Sequence, residues 1–319
     1  MKNRRGSHGA GGPRTTLFLP AALNRAFSAA PTFYGAAIAR FYFEIEIMNI
    51  GKQIRMNRLF SHPSGRLCSV AVDHFIGYGK LQPGGGLSNL PAALARVAAG
   101  QPSAITMSKG TAMNAWAPYA GKIPLIIQSG CFTADDRVIE YVTNPEECVR
   151  LGADAIAIAI GIFGPNEGKF IKILMDGVTQ AAKYDLPVVA HIYPRDFSGA
   201  SPRIVFDPEG IMWAARIGIE AGVDVIKVGY TGDVASFKQV VESSPVPVVA
   251  AGGPKANNLR EALTAMSGVV QAGARGATIG RNVWGVEKTA EALRAFKSVI
   301  LEGKSVDDAL KAEGLTGNE

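Results

Sequence analysis

A lysine seldom sits inside a β-branched run, yet Val223–Asp233, V-D-V-I-K-V-G-Y-T-G-D, places one there. Val223, Val225, Ile226 and Val228 have the pattern of a buried parallel strand. Among such neighbours the ammonium of Lys227 loses hydration and its pKa falls. A neutral amine is a nucleophile, and the chemistry it suits best is Schiff-base formation with a carbonyl. The competing reading is a lysine that snorkels from the strand end to solvent or to a structural carboxylate. Carbon–carbon cleavage through an imine also needs groups that take a proton from a hydroxyl and deliver one to carbon. Asp73, in V-A-V-D-H, and Tyr193, in H-I-Y-P-R-D, have the right types. Their blander readings are a turn or helix cap for the first and a core aromatic for the second.

These residues need a frame that aims them at one place. From Leu67 onward, eight short apolar runs alternate with amphipathic helical patterns. The runs are Leu67–Val72, Ala104–Met107, Ile123–Gln128, Ala155–Ala159, Val188–Ile192, Val225–Val228, Val248–Ala251 and Ala277–Ile279. The helical patterns are Leu87–Ala99, Thr111–Tyr119, Pro145–Leu151, Glu167–Lys183, Pro208–Ala221, Val234–Glu242, Asn257–Ala272 and Glu287–Leu301, with Val306–Ala312 last. Eight β-α units predict a (β/α)₈ TIM barrel as a single domain over residues 48–319. The alternative, an open doubly wound sheet, lacks its G-x-G-x-x-G turn, because D-H-F-I-G-Y-G does not fit that spacing.

A barrel collects its chemistry at the carboxyl ends of its strands. There the sequence places Asp73-His74, Ser108-Lys109, Gln128, His191 to Arg195, and Lys227. Ala251-Gly252-Gly253 after the seventh run and Gly280-Arg281 after the eighth match where barrels hold phosphate on bare backbone N–H groups, with Arg281 adding charge. Lys109, His74 and Arg195 are expected to join the substrate- and phosphate-binding residues. Lys109, a rival for the Schiff base, precedes a glycine turn and is expected to meet a substrate oxygen, and His74 to hydrogen-bond beside the acid. Of four histidines, His8 and His62 lie outside the strands, so His74 and His191 are too few for a three-histidine zinc site without carboxylate help. No metal and no cofactor is expected. Asp135-Asp136 reads as a solvated loop after Cys131-Phe132.

Charge and composition narrow the partners. Residues 1–47 hold six basic and two acidic residues of a chain whose net charge is +6, so the remaining 272 carry 27 basic against 25 acidic. The body is therefore no nucleic-acid binder by charge, while an anionic small substrate fits. Cys68, Cys131 and Cys148 show no CxxC spacing, which fits a reducing cytoplasm. No apolar run reaches about 18 residues, so no membrane span is expected. The Gly/Arg-rich opening reads as a disordered or spurious extension ahead of Met48 rather than a transit segment.

V-A-V-D-H, H-I-Y-P-R-D, D-V-I-K-V-G-Y-T-G-D, V-V-A-A-G-G-P-K and G-R-N-V-W occur in this order and at barrel spacing. Together they closely resemble the archaeal-type class I fructose-bisphosphate aldolase family, (β/α)₈ barrels related to deoxyribose-phosphate aldolase, over about residues 48–300. The resemblance implies Lys227 as the Schiff-base lysine, Tyr193 as the proton-transfer residue and Asp73 as the carboxylate beside the imine. It also implies phosphate contacts at Gly252, Gly253, Gly280 and Arg281, and a homo-oligomer such as the decamers of the family. The family includes cleavage of fructose 1,6-bisphosphate, synthesis of an amino-dideoxy-heptulosonate, and thiolysis of phosphorylated autoinducer-2. Tyr230–Asp233 looks more like the aldolase branch. Two residues depart from the pattern: Phe75 replaces a usual glycine, from which a narrower mouth near the first strand is expected, and Gly229 replaces a larger residue, from which open space beside the lysine is expected. A non-enzymatic alternative is a silent oligomeric barrel that binds sugar phosphates.

Overall fold

Alternation along each strand builds the molecule. In the computed structural model, which describes residues 49–74, 86–130, 140–199 and 202–319, eight parallel strands close into a barrel. They are β1 (Leu67–Ala71), β2 (Ala104–Ser108), β3 (Leu125–Gln128), β4 (Ala155–Ile162), β5 (Val188–Asp196), β6 (Val225–Val228), β7 (Val248–Ala251) and β8 (Gly276–Ile279). The last strand pairs with the first, Leu67 opposite Gly276 and Val70 opposite Ile279, which leaves no edge. Residues 1–47, Phe75, Cys131, Phe132 and Asp135–Asp136 lie outside the described residues.

Because successive side chains point to opposite faces, every strand feeds two cores. On β4, Ile156, Ile158, Ile160 and Ile162 join the layer under the helices, while Ala155 and Ala157 face the barrel interior. That interior is graded along the barrel axis. Leu67, Ile126, Val189, Val225 and Val249 fill its amino-terminal end. Farther along, Ser69 and Thr278 meet in a buried 2.8 Å hydrogen bond. Beyond them the inward positions become Gln128, His191 and Lys227.

Between the strands run α2 (Leu90–Ala99), α3 (Lys109–Ala115), α4 (Pro145–Arg150), α5 (Glu167–Ala182), α6 (Pro208–Ala221), α7 (Val234–Glu242) and α8 (Leu259–Gln271), and α9 (Arg281–Trp284), α10 (Thr289–Ile300) and α11 (Val306–Ala312) complete the chain. Side-chain caps fix where many of them begin: Asn144 and Glu147 form a reciprocal capping box on α4, and Asp207, Asp233 and Asn258 accept from the N3 backbone of α6, α7 and α8.

Helix α1 (Ile50–Leu59) was not anticipated, because I-G-K-Q-I-R-M-N-R-L lacks a broad apolar stripe. Met56, Leu59 and Phe60 nevertheless pack on the apolar amino-terminal end of the interior. Lys52–Asp224 at 2.9 Å and Arg58–Asp154 at 3.2 Å tie the helix to the residues preceding β6 and β4. β5 also runs farther than its apolar pattern, through Pro194 to Asp196, where Arg203–Ile204 pairs with it antiparallel. Pro194 has no N–H to offer, and its carbonyl accepts from Val205 at 2.9 Å.

Candidate active site

The polar end of the interior opens into a cavity of about 120 Å³. Its lining includes Asp73 and His74 after β1, Gln128 on β3, His191 and Tyr193 on β5, Lys227 on β6, Gly252 and Gly253 after β7, and Gly280 and Arg281 after β8. Eight of the ten site candidates read from the sequence thus converge. Lys109 and Arg195 do not line it. As the first residue of α3, Lys109 turns outward to pair with Glu147 at 2.7 Å, and Ser108 takes the inward position. Arg195 is buried with its guanidinium 5.1 Å over the Phe197 ring and its stem against Gly161.

Lys227 is 5% exposed. Its ammonium has neither hydrogen bond nor ion pair among the described residues. Burial pulls its pKa down to about 8, and the opposing charge of Asp73 keeps it from falling further. The snorkelling alternative therefore does not describe it. Asp73 accepts from Gln128 Nε2 at 3.0 Å and lies 3.5 Å from His74 Nδ1. Burial lowers the pKa of His74, against the pull of Asp73, and His191 is pushed well below the ordinary range by burial and by Lys227. Burial therefore favours the uncharged form of both rings. Among the described residues no three His, Cys, Asp or Glu side chains gather as a metal site would require. The two described cysteines, Cys68 and Cys148, are buried and unpaired, and burial raises both thiols to about 12.

The glycines of the two turns are held by close packing. A Cβ on Gly280 would stand 2.6 Å from His74 Cε1, and one on Gly252 would stand 2.9 Å from Ile279 Cα. Gly253 has φ +70°, a conformation that disfavours other residues. Asn282, which the sequence reading passed over, staples the turns together: its Nδ2 donates to Gly252 and Pro254 carbonyls at 3.0 Å, and its Oδ1 accepts from Ala256 at 2.9 Å. Arg281 donates from Nη2 to the Gly253 carbonyl at 3.2 Å, while its buried Nε has no partner among the described residues. Behind them Trp284 donates to the Ala71 carbonyl at 2.9 Å and stacks edge-on against His74.

The space expected beside Lys227 from Gly229 is not open. Phe206, brought over by the chain after the Arg203–Ile204 pairing, fills it, and a Cβ at residue 229 would overlap its ring. Gln128 and His191 stood among the strand-end residues without a site role in the sequence reading. Strand alternation alone points both inward, Gln128 two residues after Ile126 and His191 two after Val189.

The sequence matches the DeoC/LacD family aldolases over residues 67–285. The chain belongs to that aldolase family. It is an enzyme of the aldehyde-lyase kind, built on the barrel that its relatives share. The aldolase is 36% identical over 196 residues to the class 1 fructose-bisphosphate aldolase of Thermoproteus tenax, covering 60% of this chain and 73% of that one. It is 30% identical over 268 residues to the 2-amino-3,7-dideoxy-D-threo-hept-6-ulosonate synthase of Halobacterium salinarum, covering 83% and 97% respectively. A solved Schiff-base-forming fructose-1,6-bisphosphate aldolase superposes with a TM-score of 0.68 at 29% identity, over 78% of this chain and 99% of that one.

Proposed function

We propose that this aldolase makes and breaks a carbon–carbon bond in a phosphorylated ketose, fructose 1,6-bisphosphate first among them, through an imine on Lys227. The observation that carries the reading is an unpaired amine, 5% exposed and with a pKa near 8, on the same cavity as a carboxylate and a tyrosine. Nζ attacks the ketone carbon, and loss of water from the carbinolamine leaves a protonated imine. Breaking the next carbon–carbon bond sends its electron pair to that nitrogen, giving an enamine, while the hydroxyl on the departing carbon gives up its proton and becomes an aldehyde. Asp73 and Tyr193 share the proton transfers. Protonation of the enamine carbon and hydrolysis then restore the lysine. The scheme uses no metal or cofactor. Gly252, Gly253, Gly280 and Arg281 hold the phosphate, an assignment supported by the unpartnered Nε of Arg281.

Reduction with borohydride in the presence of dihydroxyacetone phosphate, followed by peptide mass spectrometry, tests the reading. The expected result is one adduct, on the Lys227 peptide, that is absent from Lys227→Ala. A phosphorylated ketose that raises the melting temperature without any covalent adduct would instead identify a silent binding barrel. A second reading is favoured by the synthase relative, whose sequence aligns over 97% of its length: the enamine is then captured by a different carbonyl partner. Product analysis with the two acceptors separates these, and a strict need for coenzyme A would move the assignment to the thiolase branch. We carry the homo-oligomer into the proposal; a single 33.5 kDa species by light scattering of the full chain removes it.

A further inference from the structure

Gln128 and His191 have no part in the scheme above, yet both line the cavity and they hold each other in place. The Gly130 N–H lies 3.0 Å from Gln128 Oε1. A backbone N–H only donates, so the amide oxygen of Gln128 is fixed on that side and its NH₂ on the other. The NH₂ reaches Asp73 Oδ2 at 3.0 Å and His191 Nδ1 at 3.1 Å. Nδ1 must therefore accept, which puts the ring proton on Nε2. Nε2 has no hydrogen-bond partner among the described residues. β5 and β6 pair with His191 opposite Lys227, so the two side chains enter the interior together on neighbouring strands.

We propose that Gln128 is a positioning residue that holds His191 as its neutral Nε2–H tautomer, and that this N–H donates to the oxygen of the carbonyl attacked by Lys227. As Nζ bonds to carbon, the carbonyl π pair moves onto that oxygen, and a donor already aimed there needs no reorganisation. The same amide fixes the Asp73 carboxylate, so one side chain orients two groups that line the cavity with the amine. Burial, and the neighbouring Lys227 and His74, disfavour a charge on the imidazole, and Gln128 stands hydrogen-bonded to both Asp73 and the ring. The assigned oxygen rests on the Schiff-base reading; the tautomer does not.

Solid-state ¹⁵N NMR of the full chain labelled at histidine tests the tautomer, since only four histidines contribute and His191→Gln identifies the signal. The expected result is an Nε2–H imidazole from pH 6 to 9, with an Nδ1 signal that moves in Gln128→Leu. An Nδ1–H tautomer, an imidazolium at pH 7, or no change in Gln128→Leu overturns the proposal. Cyanoborohydride trapping with dihydroxyacetone phosphate tests the contact. His191→Leu should slow adduct formation about 100-fold, the usual loss on removing one such donor, while His191→Gln, which retains an N–H, stays within about tenfold of wild type. Equal trapping rates for wild type and His191→Leu overturn the contact. A wild-type chain that gives no adduct overturns the Schiff-base reading and the contact with it, whichever tautomer is found.

Discussion

Replacing Asp73 by Asn should make Lys227 a better nucleophile at pH 7. With a pKa near 8 rather than the ordinary 10.5, about one molecule in ten carries the neutral amine at pH 7 instead of about one in three thousand. Burial does that work, and the carboxylate of Asp73 works against it by favouring the charged form. Asparagine has nearly the same shape and can still accept from Gln128 Nε2, which bonds Asp73 at 3.0 Å, but it lacks the charge. Loss of a nearby opposite charge typically shifts a pKa by one unit or more. At about one unit, the midpoint of Lys227 falls to about 7 and its neutral fraction at pH 7 rises about fivefold. Trace acetic anhydride labelling across pH 5.5–10, quantified on the Lys227 peptide, reads this midpoint without requiring substrate. Turnover should fall at the same time, because the variant loses a proton carrier. A midpoint that stays put or rises in Asp73→Asn would refute the claim that this carboxylate sets the charge of the lysine.

The same shift has a stability consequence. The folded pKa of Lys227 lies below the unfolded value, so the cost of burying its charge is present in full below pH 8 and vanishes as pH rises towards 10.5. Lys227→Met should therefore stabilise the fold by roughly 2–3 kcal/mol at pH 7, with the gain shrinking above pH 8, as urea unfolding at several pH values would reveal. Gly229→Ala would drive a methyl into the Phe206 ring and should cost about 1–3 kcal/mol by thermal or urea denaturation. Because Phe206 lines the cavity, KM should change in that variant as well. Arg281→Met should raise KM for phosphorylated ketoses by roughly tenfold or more while leaving unphosphorylated dihydroxyacetone almost unaffected, a split that steady-state kinetics resolves. Equal losses with both substrates would remove Arg281 from phosphate binding.

Periodicity was enough to specify the barrel and to bring most of the candidate residues to one cavity. Eight apolar runs of strand length, separated by amphipathic stretches, have few ways to bury both faces, and most of the polar residues where those runs end line the barrel mouth. That logic reached Lys227, Tyr193, Asp73 and the two glycine turns, because each is local to one strand end. Side-chain direction and long-range packing were not legible in the same way. Lys109 and Ser108 are adjacent in sequence, but only the start of α3 decides that Ser108 faces the cavity while Lys109 pairs with Glu147. Gly229 reads as empty space until the segment after β5 delivers Phe206 from more than twenty residues away. Helix α1 gains its place from Asp154 and Asp224, contacts that its own weakly amphipathic sequence does not announce. The relay from Gly130 through Gln128 to Asp73 and His191 joins the ends of β1, β3 and β5. Hydrogen bonds of this kind depend on ångström-scale distances between separate strands, which barrel closure sets and no local pattern encodes.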